Sequence, residues 1–299
     1  MARIAITGSS GLIGTPLVAA LRERGDEVVR LVRRPPSTAD EVQWDPSSRR
    51  LDPSVLDGVD GVVNLAGAGV GDKRWTPSYK HEILSSRTDS TTAVATAIAA
   101  CDHPIRLVSG SAVGFYGDRG EERLTESSPA GEGFLTDVVI AWEAAAQPAV
   151  DAGASVAYAR TGLVLAPGGG AMEPLLKLGR FGLAGPLGSG RQFWPWITLA
   201  DEVAAIVHLL DRPEVTGPVN LCGPQPDRQK EVAAALGRAL NRPAVLPAPS
   251  IALKVAVGEF AGEILASQRI VGDVLTLSDF RYTHTDVDEA ARYVVAGSD

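Results

Sequence analysis

The sequence predicts an α/β fold: a doubly wound parallel sheet with a smaller α-rich lobe after it. Three observations carry this. Short runs rich in Val, Ile and Leu alternate with segments of helical spacing, the first run ends in glycines three residues apart (Gly8, Gly11, Gly14), and residues 224–299 read as mainly helical. Strands covered on both faces are apolar throughout rather than alternating. A β–α–β–α order joins them by right-handed crossovers.

The strands in order are RIAIT (3–7), EVVRLV (27–32), GVVNLA (61–66), IRLVSG (105–110) and SVAYAR (155–160). Helices are expected at 12–24, 78–100 and 135–152. The first carries Leu12, Ile13, Leu17, Val18 and Leu21 on one stripe and stops at Gly25, whose missing side chain suits a helix end. The Gly/Pro-rich stretch 166–190 is too apolar for a linker and too broken for one element, so it reads as a loop-and-helix insertion beside a site. TLADEVAAIVHLL (198–210) and PVNLCG (218–223) add one more helix and strand to the main sheet. The division expected is a sheet domain of 1–165 and 198–223, and a lobe of 166–197 and 224–299. Within that lobe IALKVAVGEFAGEIL (251–265) is expected to pack on the main domain.

Composition narrows the function. Apolar residues make up 45% and charged residues 21%, ordinary globular usage, and a net charge of −8 argues against a nucleic-acid or anionic-membrane surface. No apolar stretch approaches the roughly 20 residues of a membrane span, and no signal-peptide pattern opens the chain. Cys101 and Cys222 lie far apart and form no disulfide framework, which suits a reducing cytoplasm. His81, His103, His208 and His284 are scattered without metal-ligand spacing, and no G-x-S-x-G elbow is present, so no metal and no hydrolase are expected. Asp201 reads as a cap or first-turn acid of its helix. The expected partner is a small molecule, with no oligomer indicated.

The glycines follow a strand and open a helix, the context in which they hold a dinucleotide. Gly8 permits the turn, Gly11 lets backbone approach a pyrophosphate, and Gly14 lets the helix pack closely. The helix N-terminus offers free N–H groups and positive potential to phosphate. Thr7, Gly8, Ser9, Ser10, Gly11, Leu12 and Ile13 are therefore the cofactor-binding candidates. The tip of the second strand, LVRRPP (31–36), offers Arg33 and Arg34 and no acid. A guanidinium matches a 2′-phosphate, where NAD sites place Asp or Glu for a ribose hydroxyl. This points to NADP (NADPH).

ITGSSGLIG (6–14), VNLAGA (63–68) and SGSAVGFYG (109–117) resemble the extended short-chain dehydrogenase/reductase (SDR) superfamily, a Rossmann fold. VQWDP, KRWTPSYKHEILSSR, WEAAA, RTGLVLAPGGGAM, GPLGSGRQFWPWI and SQRIVGDVLTLSDFRY extend the likeness over nearly the whole chain. They are similar to its atypical "epimerase family protein" group, an NAD-dependent epimerase/dehydratase family with a C-terminal domain of unknown function. The resemblance implies that Leu65, Ala66 and Gly67 lie along the cofactor and that Arg87 is a cofactor-side arginine, with Glu82 on the same helix. A solvated face explains the Glu82–Arg87 spacing equally well. Ser109 and Ser111 stand at the carboxyl end of a strand, where such sheets place ligands. Ser111 matches the superfamily's catalytic serine.

The superfamily also uses a Tyr-x-x-x-Lys pair on the next helix, the phenol passing a proton while hydride moves to nicotinamide. Here GFLTDVVIAWEAAA (133–146) holds no Tyr and no Lys; Phe134 and Val138 stand near those positions. Tyr116 is the nearest phenol and the candidate replacement, or else packs over its own turn. Arg191, Trp194 and Trp196, beside Phe193, either line a substrate pocket or pack a domain interface. Three functions fit: an NADP-dependent oxidoreductase or epimerase-like enzyme with a non-standard donor, a catalytically silent NADP(H)-binding sensor, or a scaffold with a structural cofactor.

Overall fold

The computed structural model describes residues 1–170, 173–182 and 184–297. The strands are β1 (Arg3–Thr7), β2 (Glu27–Val32), β3 (Glu41–Gln43), β4 (Gly61–Asn64), β5 (Arg106–Ala112), β6 (Arg123–Leu124), β7 (Val156–Thr161), β8 (Leu163–Leu165), β9 (Phe193–Trp194), β10 (Trp196–Thr198), β11 (Gly217–Leu221), β12 (Asp227–Arg228) and β13 (Arg269–Ile270). The helices are α1 (Gly14–Glu23), α2 (Pro77–Ala99), α3 (Phe134–Ala144), α4 (Gln147–Asp151), α5 (Glu173–Arg180), α6 (Leu199–Asp211), α7 (Gln229–Ala239), α8 (Ser250–Val257), α9 (Ala261–Leu265), α10 (Asp273–Leu277) and α11 (Val287–Ala296).

Seven strands form one parallel sheet in the order β11-β7-β5-β4-β1-β2-β3. The doubly wound expectation holds. Alternate residues of each strand feed two cores. Ile4 and Ile6 of β1 join Leu17 and Leu21 of α1 and Ile206 and Leu209 of α6, whereas Ala5 faces Val94 and Ile98 of α2. The strand order reverses between β1 and β4, which opens the crevice where open α/β sheets bind ligands.

Several boundaries move, each for a local reason. β4 ends at Asn64, because the N–H groups of Leu65 and Ala66 leave the ladder and donate to Thr7 Oγ1, both at 3.0 Å. The helix expected over 135–152 divides into α3 and α4, with Pro148, which has no N–H, in the first turn of α4. β3 was not foreseen; three residues carry too little periodicity to be seen in sequence. α5 occupies the expected insertion; Ala171, Met172 and Leu183 of that stretch lie outside the described residues.

The C-terminal lobe packs α7 and α11 together over Trp194, Trp196 and Leu165, and α10 returns Leu275 to the main core. The pairing of β12 with β9 joins two of its own segments, and that of β13 with β6 stitches it to the sheet domain. The expectation for 251–265 is corrected: α8 buries none of its residues, and Ile251 and Val255 are 75% and 71% exposed. The lobe is held by α7, α9, α10 and α11. None of the described helices is long and apolar enough to cross a membrane.

Candidate functional site

The crevice begins at the end of β1. Gly8 has φ +65°, a conformation that disfavours side chains, and a Cβ there would lie 2.7 Å from the Leu65 carbonyl oxygen. A Cβ on Gly14 would lie 2.2 Å from the Gly8 carbonyl oxygen, so this glycine lets α1 sit directly on the turn. Gly11 N–H donates to the Gly8 carbonyl at 3.0 Å and closes the loop. No side chain caps α1 and no acid occupies its first turn. Ser10, Gly11 and Leu12 are exposed, Ile13 is half-buried, and Ser9 is buried. The result is an open, unshielded helix N-terminus, which attracts anions.

Thr7 is a correction. Its hydroxyl is fully buried, donating to Asn64 Oδ1 at 2.6 Å and accepting the Leu65 and Ala66 N–H groups. It shapes the loop at Leu65–Gly67 and is closed to a cofactor.

The tip of β2 also departs from expectation. The register sets Leu31 beside Thr7, so Arg33 and Arg34 follow next to the glycine turn. The edge strand β3 places an acid beneath them: Glu41 accepts from both nitrogens of Arg34, at 2.8 and 2.6 Å, with its side chain wholly buried. Arg34 and the Ser37 backbone hold its carboxyl down to about 2. Arg30 bonds Asp40 at 2.7 Å and approaches Glu41 at 3.1 Å, and Arg22 also pairs with Asp40. Four arginines, counting Arg33, therefore face two carboxylates. The guanidinium of Arg33 is exposed and has no ion pair among the described residues. The tip stays cationic, with Arg33 as the cation left over.

Arg87 forms the opposite wall. Its Nη1 donates to the Ala68 and Ile83 carbonyls at 2.8 and 3.0 Å, and its guanidinium lies 5.1 Å from the Trp142 ring. A Cβ on Gly67 would touch it at 3.2 Å, so the small residue admits the arginine. Burial without a carboxylate partner lowers its pKa to about 10. Glu82 is corrected: five residues earlier on a helix is about 140° around the axis, and it points outward to Lys73 at 3.7 Å. Ser109 is corrected as well, being fully buried with its hydroxyl on the Gly110 carbonyl at 3.3 Å.

Ser111 belongs to a polar chain that sequence reading missed. Its hydroxyl donates to Glu143 Oε1 at 2.6 Å, and Arg160 clamps the same carboxylate from Nε and Nη2 at 2.8 and 2.9 Å. Arg160 Nη1 also donates to Tyr116 Oη at 3.0 Å, and Tyr116 donates onward to Asn220 Oδ1 at 2.7 Å. Tyr116 is fully buried, and burial raises its pKa. This overturns its reading as proton donor: its proton is committed inward and no solvent reaches it. The signal for Glu143 and Arg160 was present, since each is a lone charge in an apolar run, the usual mark of a buried pair.

At the head of α3, which holds no Tyr and no Lys, stands an apolar cluster. Val138 is buried with Tyr79 and Ile83, and Phe134 meets Trp75 edge-on at 5.0 Å. Lys80 lies 5.0 Å from the Phe134 ring. Trp194 and Trp196 are corrected from substrate contacts to core: they are 8% and 1% exposed, with indole N–H groups on the Ile264 carbonyl and Asp227. Arg191 is exposed and lines a cleft of about 620 Å³ with Asp118, Glu121, Ser189, Ser250 and Ser267. Asp201 accepts from Thr283 and His284 N–H groups and from Thr198, the cap of α6. No group of three or more possible metal ligands occurs among the described residues.

An open parallel sheet with a glycine turn and an uncapped helix at its switch point defines a Rossmann-type nucleotide-binding protein of the extended SDR class. The chain belongs to the NAD dependent epimerase/dehydratase family, whose model matches residues 4–223; a domain of unknown function, DUF1731, matches 248–294. It is 43% identical over 291 residues to epimerase family protein Mb2239 of Mycobacterium bovis, covering 97% of this chain and 96% of that one. It is 34% identical over 301 residues to the human epimerase family protein SDR39U1, covering 98% and 100%. The crystal structure of human SDR39U1 (isoform 2) with NADPH superposes with a TM-score of 0.91 at 32% identity, covering 98% of this chain and 99% of that one. A nucleoside-diphosphate sugar epimerase from Corynebacterium glutamicum superposes with a TM-score of 0.82 at 33% identity, over 98% of this chain and 58% of that one.

Proposed function

We propose that this protein binds NADP(H) across the β1/β4 switch point and holds it beside a small-molecule cleft, with hydride transfer to ordinary carbonyls weak or absent. The observation that carries the cofactor reading is the unpaired Arg33 guanidinium next to the open N-terminus of α1. A 2′-phosphate supplies its missing counter-charge, whereas the buried Glu41 is already neutralised by Arg34. The human relative solved with NADPH supports the same choice. The residues fit the group: Gly8–Ile13 for the pyrophosphate, Leu65–Gly67 and Arg87 for the opposite wall, and Arg33 for the 2′-phosphate, with Arg34 held beside it by Glu41.

When bound, the nicotinamide supplies hydride chemistry. The chain's own hydroxyls are engaged elsewhere, because Ser111 donates its hydrogen bond to Glu143 and Tyr116 donates its own to Asn220. Neither hydroxyl is free to protonate a nascent alkoxide. This favours the cofactor-binding sensor over the oxidoreductase or epimerase-like enzyme. Titration of NADPH and NADH against wild type and Arg33→Ala tests the reading. NADPH should bind at least tenfold tighter than NADH in wild type, and the variant should lose most of that margin, an exposed guanidinium–phosphate contact contributing about 1.5 kcal/mol. Equal affinities for the two cofactors in wild type would defeat the NADP reading. Oxidation of bound NADPH by aldehydes, ketones or quinones at ordinary enzymatic rates would restore the oxidoreductase.

A further inference from the structure

The segment 249–260 crosses from the C-terminal lobe to the sheet domain and is fastened mainly at its far end. At its start Pro249 and Ser250 line the 620 Å³ cleft that also holds Arg191. α8 then runs without a buried residue; half-buried Leu253 touches the lobe core, while Ile251 and Val255 face outward. Arg74, Lys80, Trp75 and Gly71 tie the end of the segment to residues 71–80. Arg74 Nη2 donates to the Val255 carbonyl and, at 3.4 Å, to that of Ala256. Lys80 Nζ meets Glu259 Oε1 at 2.5 Å. The Phe260 ring lies 5.5 Å from that of Trp75, and a Cβ on Gly71 would touch it at 3.3 Å. Beyond this point the chain is anchored again, with Ala261 fully buried and the Ile264 carbonyl accepting from Trp194.

The docking ground is what gives these contacts meaning. Lys80 and Trp75 lie against Phe134, at the head of α3 where the superfamily's tyrosine would be sought. Gly71 closes the loop that starts at Leu65, against Gly8. The segment thus lines the cleft at one end, and at the other it meets Trp75 and Lys80, which lie against Phe134, and Gly71 at the end of the loop that starts at Leu65. An element with little buried apolar surface and a few polar ties opens at low free energy.

We propose that residues 249–260 are a clasp over the crevice between sheet domain and lobe. It swings between Pro249 and Ala261, is latched by Arg74 and Lys80, and is tightened when the loop at 65–71 is ordered by a bound dinucleotide. Ligands reach Phe134 and the loop at 65–71 when the latch releases. Its function is gating, and Arg74, Lys80 and Glu259 act on ligand access without touching the ligand.

Hydrogen–deuterium exchange on the full-length chain tests this. In wild type without added ligand, amides of 250–260 should exchange faster than those of α9. Lys80→Ala with Glu259→Gln should speed exchange in 250–260 by about fivefold, the effect of losing one partly exposed ion pair, and leave β5 and α6 unchanged. Saturating NADPH should slow exchange in 250–260 in wild type and less in the variant. The bound NADPH should also become several-fold more accessible to acrylamide in the variant, with its Kd within about twofold of wild type. Exchange in 250–260 that is insensitive to the latch variant, or faster exchange spread over the whole chain, overturns the clasp. Unchanged acrylamide quenching overturns its gating role. Failure of NADPH to bind wild type would count against the cofactor reading alone, because the first comparison is made without it.

Discussion

Glu202 sits in the first turn of α6, fully buried, with Thr161 donating to Oε1 at 2.7 Å and no partner for Oε2 among the described residues. Burial pushes its pKa up to about 8, from an ordinary value of 4.5. The native chain therefore keeps a proton that the unfolded chain releases between those values. Stability is undiminished below about pH 4.5, and falls as pH rises to about 8 by at most about 1.4 kcal/mol per unit. Glu202→Gln keeps the shape and the Thr161 contact and cannot ionise. Denaturant unfolding at pH 5 and pH 8 should show a clear loss for wild type and a smaller one for the variant. Equal losses in the two proteins would place the charge elsewhere. The Glu143–Arg160 pair is the opposite case: Arg160 is buried and Glu143 half-buried, but each charge is met at hydrogen-bond distance.

At the scale of elements, one hydrogen-bonded chain sets the shape of the crevice. Thr7 of β1 bonds Asn64 of β4, Asn64 Nδ2 donates to Thr91 of α2 at 2.8 Å, and Trp142 of α3 donates to the same hydroxyl at 3.0 Å. Two strands and two helices are thereby pinned at the carboxyl edge of the sheet, exactly where the Leu65–Gly67 loop departs. Thr7→Val fills nearly the same volume but leaves the Leu65 and Ala66 N–H groups without their acceptor. The cost should be about 2 kcal/mol, the penalty of unsatisfied buried donors. Because the loop is also the proposed cofactor wall, NADPH affinity should fall with stability. A variant with unchanged melting temperature and unchanged affinity would show that this chain does not hold the loop.

The whole molecule depends on the lobe in a way that α8 conceals. Ile251 and Val255 are exposed in the intact protein, so removing them uncovers nothing. Removing 224–299 takes away α7 and α11, which cover Trp194, Trp196 and Leu165, and removes Leu275 from the main core. The truncated chain should aggregate, since a patch with two tryptophans would face water. Replacing Ile251 and Val255 with Ser in the full chain should change the melting temperature by less than about 2 °C, as expected of exposed positions. Size-exclusion chromatography of the truncation and thermal denaturation of the double variant check both. A soluble monomeric 1–223 fragment would mean that the sheet domain closes its own core.

Properties that depend on neighbouring residues were legible in the sequence by itself. The strand and helix periodicities determined the doubly wound sheet, and the spacing of Gly8, Gly11 and Gly14 determined the turn, because backbone conformation and facing are set within a few residues. Missing Tyr and Lys in α3 were equally plain. What only the tertiary structure decided was the partner of each polar side chain. Glu41 reaches Arg34 through an edge strand too short to foresee, and Glu143 reaches Ser111 across 32 residues of sequence. Tyr116 and Asn220 meet across 104 residues. The same holds for Trp194 and Trp196, whose aromatic character suits a pocket or a core alike until α7, α9 and α11 close over them. Burial and hydrogen-bond pairing come from elements distant in the chain, so the local pattern named the chemistry available and the assembled fold determined which groups remain free to use it.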